Sequence, residues 1–272
     1  MSAVILENRL VHYEVLGRGH PLLLLHDWLG SWRYWVPTMV ELSSSHRAYA
    51  LDFWGFGDSD KARSGRASAV SAAEGYGISA YVAQVRMFMD EMGLHRAPVV
   101  GHGLGAVVAI CFAREHADRV EQVMAVSLPL SRDHVSRGLL TFNGNDVPAK
   151  AVLGRRLRAY EEVEMEAAKT DGEAVVHSVQ SALQQDLIGT LREQTVPTLL
   201  VDGKDDPVIE SPDEALLATV GRHMGSFVLN DSQHYPMLDE TSKFSRLLRD
   251  FLVHRDDWDS IQLKEEWKRR MR

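Results

Sequence analysis

Short, wholly apolar runs recur along the chain at intervals long enough to hold a helix, and this pattern constrains the fold more than any other feature. Leu22 to Leu25, Ala48 to Leu51, Pro98 to Val100, Val123 to Val126 and Thr198 to Val201 each read as a strand buried on both faces. The segments between them show apolar residues at three-to-four spacing at Tyr81 to Met92, Leu104 to His116, Pro212 to Val220 and Glu240 to Val253, which predicts helices. Strands alternating with helices imply a mostly parallel sheet with helices on both faces, an α/β fold. Leu10 to Leu16 differs: it alternates apolar and polar residues and ends at Gly17-Arg18-Gly19, so a half-buried strand and a turn are expected there.

Composition excludes several classes. With 45% hydrophobic and 25% charged residues the chain of 272 has the makeup of a globular protein, not a disordered one. Its net charge of −8 argues against general nucleic-acid binding, whose affinity comes largely from Lys and Arg neutralising phosphates. Cys111 is the one cysteine, so no internal disulfide is available. No apolar run approaches the ~18 residues of a membrane span, and the first residues lack a leader pattern, so a cytoplasmic protein is expected. The twelve histidines show no H-E-x-x-H or clustered Cys/His spacing, and the glycines of 101–105 fit neither a dinucleotide fingerprint nor a phosphate loop. No cofactor or metal is implied.

The most informative stretch is Pro98-Val99-Val100-Gly101-His102-Gly103-Leu104-Gly105-Ala106: a strand, a tight turn, then an apolar helix. This is the setting of a nucleophile elbow, G-x-S-x-G, except that Gly103 stands at the serine position. Four further segments join it in order: Leu25-His26-Asp27-Trp28, Asp52-Phe53-Trp54-Gly55-Phe56-Gly57-Asp58-Ser59, Asp202-Gly203-Lys204-Asp205-Asp206-Pro207 and Ser232-Gln233-His234-Tyr235-Pro236. Over residues 8 to 254 the chain resembles the α/β-hydrolase fold family, in particular its single-domain members with a lid of the esterase, dehalogenase and epoxide-hydrolase kind.

The resemblance implies Asp206 as the acid and His234 as the base of a triad, with Asp206 fitting the spacing better than Asp205. It also implies that the amides of Trp28 and Leu104 form the oxyanion site. Gly103 carries no attacking atom, so ordinary serine chemistry through an acyl-enzyme is expected to be absent or strongly impaired. Glycine also relieves the positive φ of an elbow, which costs other residues about 1–3 kcal/mol. Asp27 stands where the family turn has glycine. It is expected to turn outward and bond amides of its own turn; the alternative makes it a general base or a ligand contact. His102 is expected to point away from the crevice and Cys111 to be packed. Trp28 and Trp54 are the aromatic residues favoured to face an apolar or aromatic small molecule.

The organisation expected is a core of 1–128 and 191–254, a helical lid of 129–190 with helices near Arg155 to Lys169 and Ala174 to Leu183, and an extension of 255–272. In that extension Leu263, Trp267 and Met271 lie among Lys264, Lys268, Arg269, Arg270 and Arg272, an amphipathic basic pattern. Packing on its own domain or on a second copy is favoured there over an acidic partner or an anionic membrane surface. Lys61 to Gly77 reads as a surface loop. Three functions compete: a hydrolase using water activated by His234, a non-catalytic binding or scaffold protein, and a Ser-to-Gly variant of a conventional esterase-like enzyme.

Overall fold

The computed structural model describes residues 2–61, 75–220, 223–258 and 260–261. Most of the basic extension, including Leu263, Trp267 and Met271, and most of the Lys61 to Gly77 stretch lie outside the described residues.

Eight strands form one sheet in the order β1-β2-β4-β3-β5-β6-β7-β8. They are β1 (Ser2–Leu6), β2 (Arg9–Gly17), β3 (His20–Leu25), β4 (His46–Leu51), β5 (Ala97–His102), β6 (Val120–Val126), β7 (Thr198–Gly203) and β8 (Met224–Leu229). The pairings β1·β2 and β2·β4 are antiparallel and all others parallel. Burial explains which strands were legible. In β3 Leu22 to Leu25 are fully buried and in β5 all six residues are, as central strands covered on both faces must be. Strands β1 and β8 sit at the two edges and alternate in exposure, although each contains a short apolar stretch, Ala3 to Leu6 and Phe227 to Leu229; neither is covered on both faces like the central strands.

The helices flanking the sheet are α1 (Val36–Leu42), α2 (Ile78–Glu91) and α3 (Leu104–Glu115). Between β6 and β7 run α4 (Arg137–Leu140), α5 (Pro148–Leu153), α6 (Glu161–Glu166), α7 (Gly172–Ala182) and α8 (Leu187–Glu193), and α9 (Glu214–Leu217), α10 (Pro236–Asp239) and α11 (Thr241–His254) complete those of the described residues. α3 buries ten residues from Leu104 to Ala113, so it is enclosed on nearly every side. α2 buries Ile78, Tyr81, Val82, Val85, Phe88 and Met89 at helical spacing against the same layer.

Two expected helices are shorter than their patterns. Pro212 to Val220 yields one turn, α9, capped by Asp213 Oδ1 accepting the Leu216 N–H at 2.7 Å. Arg155 to Lys169 is broken at Tyr160 into a 3-10 turn (Gly154–Ala159), α6 and a second 3-10 turn (Ala167–Lys169). The described residues contain no helix long and apolar enough to cross a membrane.

Candidate active site

The site is built at the C-terminal ends of the parallel strands, where open α/β sheets place their ligands. β5 delivers Gly103, whose φ of +49° lies in the left-handed region, and α3 starts at the next residue. The turn is pinned by the Gly103 N–H to Val126 O at 2.9 Å and the Gly105 N–H to His26 O at 3.0 Å. β3 delivers Asp27, β7 Asp206 and the loop after β8 His234.

Asp27 does not turn outward. Its side chain is fully buried and points to the elbow, where a Cβ built on residue 103 would overlap Asp27 Oδ1. The volume left by the missing side chain holds this carboxylate, not a water-sized gap, and the expectation of an empty nucleophile position is corrected accordingly. Oδ1 accepts the Leu104 N–H at 3.1 Å; Oδ2 accepts the Leu29 N–H at 3.1 Å and lies 3.0 Å from His234 Nε2. Burial works to raise the Asp27 pKa, but the hydrogen bond and charge of His234, with further help from His102 and the Trp28 amide, hold it down at about 2. Of the two amides expected to form an oxyanion site, that of Leu104 bonds the Asp27 carboxylate, which takes its second backbone N–H from Leu29.

His234 lies between two carboxylates. Its Nδ1 is 3.0 Å and 2.9 Å from the two oxygens of Asp206, and its Nε2 faces Asp27. Burial opposes charging the ring, yet Asp206 and Asp27 together push its pKa up to about 10, so the group is an imidazolium at neutral pH. Asp206 is itself held by the N–H groups of Val208 at 2.7 Å and Ile209 at 3.0 Å and by the Ser127 hydroxyl at 2.8 Å. These donors and His234 overcome the burial that would otherwise raise its pKa. Asp205 is exposed and makes no contact with His234, so the choice between the neighbouring acids falls on Asp206.

His102 packs against the site instead of pointing away from it. Its ring centre is 4.6 Å from that of His234, and burial followed by the His234 charge lowers its pKa to about 3. Trp28 reaches the segment between β6 and β7, donating its indole N–H to Ser178 Oγ on α7 at 3.0 Å. Trp54 lies further off, beneath the Arg9 guanidinium at 4.1 Å, and its amide bonds Gln84. Cys111 is buried on α3 with its pKa raised to about 11 by desolvation, and its sulfur faces Gln185.

Three groups escaped the sequence reading. Ser127 follows β6 with a positive φ of 47° and donates to Asp206; a serine after an apolar strand was the available signal. Asp202, buried on β7 near the Asp206 charge, has its pKa raised to about 7, first by desolvation. Tyr34 accepts the Asp27 backbone N–H at 2.8 Å.

Among the described residues one cluster has metal-ligand spacing: His12, Asp52 and Asp58. Asp52 already accepts the N–H groups of Trp32 and Asp58 and faces His12 Nδ1 at 2.9 Å, so it serves to fix its own loop. A cavity of about 520 Å³ is lined by residues including Lys61, Asp146, Lys169 and Asp171, but not by Asp27 or His234.

Comparison with known proteins adds the ancestry. The model of the alpha/beta hydrolase fold family matches residues 20–152. The chain is 31% identical over 118 residues to the soluble epoxide hydrolase of Corynebacterium sp. (strain C12), a match covering 43% of this chain but only 38% of that enzyme. It is 25% identical to epoxide hydrolase 3 of Xenopus tropicalis over 90% of this chain and 76% of that protein. Among solved structures the enol-lactonase from Burkholderia xenovorans LB400 superimposes with a TM-score of 0.75 at 21% identity, covering 93% of this chain and all of the other. An esterase from Thermogutta terrifontis does so with a TM-score of 0.71 at 20% identity, covering 90% and 93%. At such identities the structural likeness establishes the fold. Together with the sequence matches it leads to one conclusion: the chain has the α/β-hydrolase fold.

Proposed function

We propose that the protein is a hydrolase whose nucleophile is the Asp27 carboxylate, acting on a strained or activated sp3 carbon such as that of an apolar epoxide. The observation carrying this reading is the coincidence of Asp27 Oδ1 with the side-chain position of residue 103, while Oδ2 lies 3.0 Å from His234 Nε2. An acyl-serine route is closed because residue 103 supplies no hydroxyl. Ester substrates are also poorly served, since the Leu104 amide that would hold a substrate oxyanion is taken by Asp27.

An sp3 electrophile needs neither. Asp27 Oδ2 forms a bond to an epoxide carbon as the ring C–O bond breaks, and the departing alkoxide takes the proton from His234 Nε2. The neutral imidazole, held by Asp206, then removes a proton from water, and the hydroxide attacks Asp27 Cγ. Charge develops on Oδ1, where the Leu104 N–H already points. The Cγ–Oδ2 bond breaks, the diol leaves with its proton returned by His234, and the Asp27 carboxylic acid passes its own proton to the neutral His234 Nε2, restoring the starting pair. The names of the relatives, epoxide hydrolases at 25–31% identity, agree with this choice of electrophile.

Asp27 and His234 have no exposed surface, so turnover requires the segment 129–190 to act as a lid. Trp28, which joins that segment through Ser178, is placed to meet an apolar substrate. The free thiol of Cys111 suits a reducing compartment, and we place the protein in the cytoplasm.

The test is a panel of alkyl and aryl epoxides with the wild type and Asp27→Asn. The expected result is diol formation that falls at least ~10³-fold in the variant. Activity unchanged by Asp27→Asn would remove Asp27 from the chemistry. A second reading, a non-catalytic binding protein, is favoured by one observation: both ring nitrogens of His234 are engaged by carboxylates. It predicts no turnover of epoxides, haloalkanes or esters by the folded wild type.

A further inference from the structure

Tyr34 lies in the 3-10 turn Trp32–Trp35 and is fully buried. Its hydroxyl accepts the backbone N–H of Asp27 at 2.8 Å and lies 3.1 Å from His102 Nδ1. In the neutral His102 tautomer that carries its proton on Nε2, Nδ1 accepts the Tyr34 O–H. A single hydroxyl thereby ties the turn after β3 to the end of β5, the two segments that bring Asp27 and Gly103 together. The ring has a shaped seat: it meets His102 and Tyr235 edge-on with centroids 5.6 and 5.3 Å away, and a Cβ at Gly30 would stand 2.5 Å from Tyr34 Cε1.

The other face of the Asp27 backbone is also held, by the His26 Nδ1–H donating to the Asp27 carbonyl at 2.7 Å. With the amide fixed by Tyr34 and the carbonyl by His26, both peptide planes flanking Asp27 are set, and with them the direction of its side chain. We propose that Tyr34 is a positioning residue that aims the Asp27 carboxylate at His234, acting through the Asp27 amide without touching the reacting atoms. A buried N–H deprived of its acceptor seeks another partner. Loss of the hydroxyl therefore rotates this peptide and draws Oδ2 away from His234.

The kinetic part of this inference rests on the proposed function, whereas the spectroscopic part does not. The experiment is proton NMR of protein selectively labelled with 15N-histidine, comparing wild type with Tyr34→Phe. In the wild type the two N–H groups of His234 give low-field signals, one for each carboxylate. Tyr34→Phe is expected to shift or broaden the Nε2–H signal while leaving the Nδ1–H signal, which faces Asp206, in place. Gly30→Ala, which moves the ring and retains the hydroxyl, is expected to perturb the same signal and covers the case in which Tyr34→Phe folds poorly. On an epoxide substrate kcat is expected to fall ~10–100-fold with KM unchanged, the pattern of a displaced nucleophile.

If Tyr34→Phe folds and leaves both signals unmoved, Tyr34 only packs and the inference is overturned. If the Nε2–H signal moves but the wild type turns over no epoxide, the positioning role stands and the catalytic reading fails.

Discussion

The carboxylate of Asp27 and the side-chain position of Gly103 occupy the same volume: Oδ1 lies where a Cβ on residue 103 would be, and the Leu104 N–H at the start of α3 bonds it. The two departures from the G-x-S-x-G and His-Gly patterns are therefore one structural change. A glycine at the elbow admits the aspartate, and an aspartate at 27 forbids any larger residue at 103.

This complementarity predicts the outcome of restoring the serine. Gly103→Ser alone must displace the carboxylate and adopt a positive φ, costing roughly 2–5 kcal/mol in urea denaturation and giving no labelling by a serine-reactive phosphonate. Adding Asp27→Gly removes the overlap, so the double variant is expected to recover much of that stability and to become labelled. Equal labelling of the single variant would show that the two residues do not share the space.

Asp206 and Asp205 should separate sharply. Asp206→Asn leaves the buried His234 charge without its main partner, and breaking such a pair costs about 3–5 kcal/mol. Asp205→Asn, at an exposed position, should stay within about 0.5 kcal/mol. Thermal or chemical unfolding of the two variants distinguishes them.

The pH dependence of stability follows from the same groups. His234 has a folded pKa of about 10, above its ordinary 6.5, so its stabilisation is complete below pH 6.5 and is lost as pH rises from there toward 10. Asp27 has a folded pKa of about 2, below 3.8, so its contribution is present above pH 3.8 and lost as pH falls toward 2. Denaturation midpoints should be highest between about pH 4 and 6.5 and decline on both sides. For His234→Gln the alkaline decline should flatten.

How much of this was readable beforehand varies with the kind of residue. Strands β3, β5 and β7 announced themselves because burial on both faces demands an unbroken apolar run, whereas the edge strands β1 and β8 carry no such demand. His234 and Asp206 were legible from turn motifs in a fixed order. The orientation of Asp27 was not, because Asp bonding its own turn is the commoner local solution; only the neighbouring Gly103, distant in sequence and adjacent in space, makes room for the inward one. The inward orientation of His102 and the role of Tyr34 were hidden for the same reason, since both depend on which strand ends meet.

The segment between β6 and β7 is tied to the core through Glu166, which is nearly buried and bonds Arg33 Nε at 2.8 Å and Lys169 Nζ at 2.9 Å; Lys169 also reaches Asp58 at 3.0 Å. Glu166→Gln should cost about 1–2 kcal/mol, less than a fully buried pair, because Arg33 and Lys169 are 32% and 38% exposed. Hydrogen exchange is expected to accelerate over residues 161–182 and to stay unchanged in β5.

The most direct measurement is a single turnover of an epoxide in 18O-water with enzyme in excess, followed by mass spectrometry of diol and protein. Nucleophilic attack by Asp27 predicts that the diol formed in this first turnover contains no 18O and that the label appears in the peptide bearing Asp27. Label in the first-turnover diol with none in Asp27 would mean that water attacks the substrate directly, contradicting the role assigned to this carboxylate.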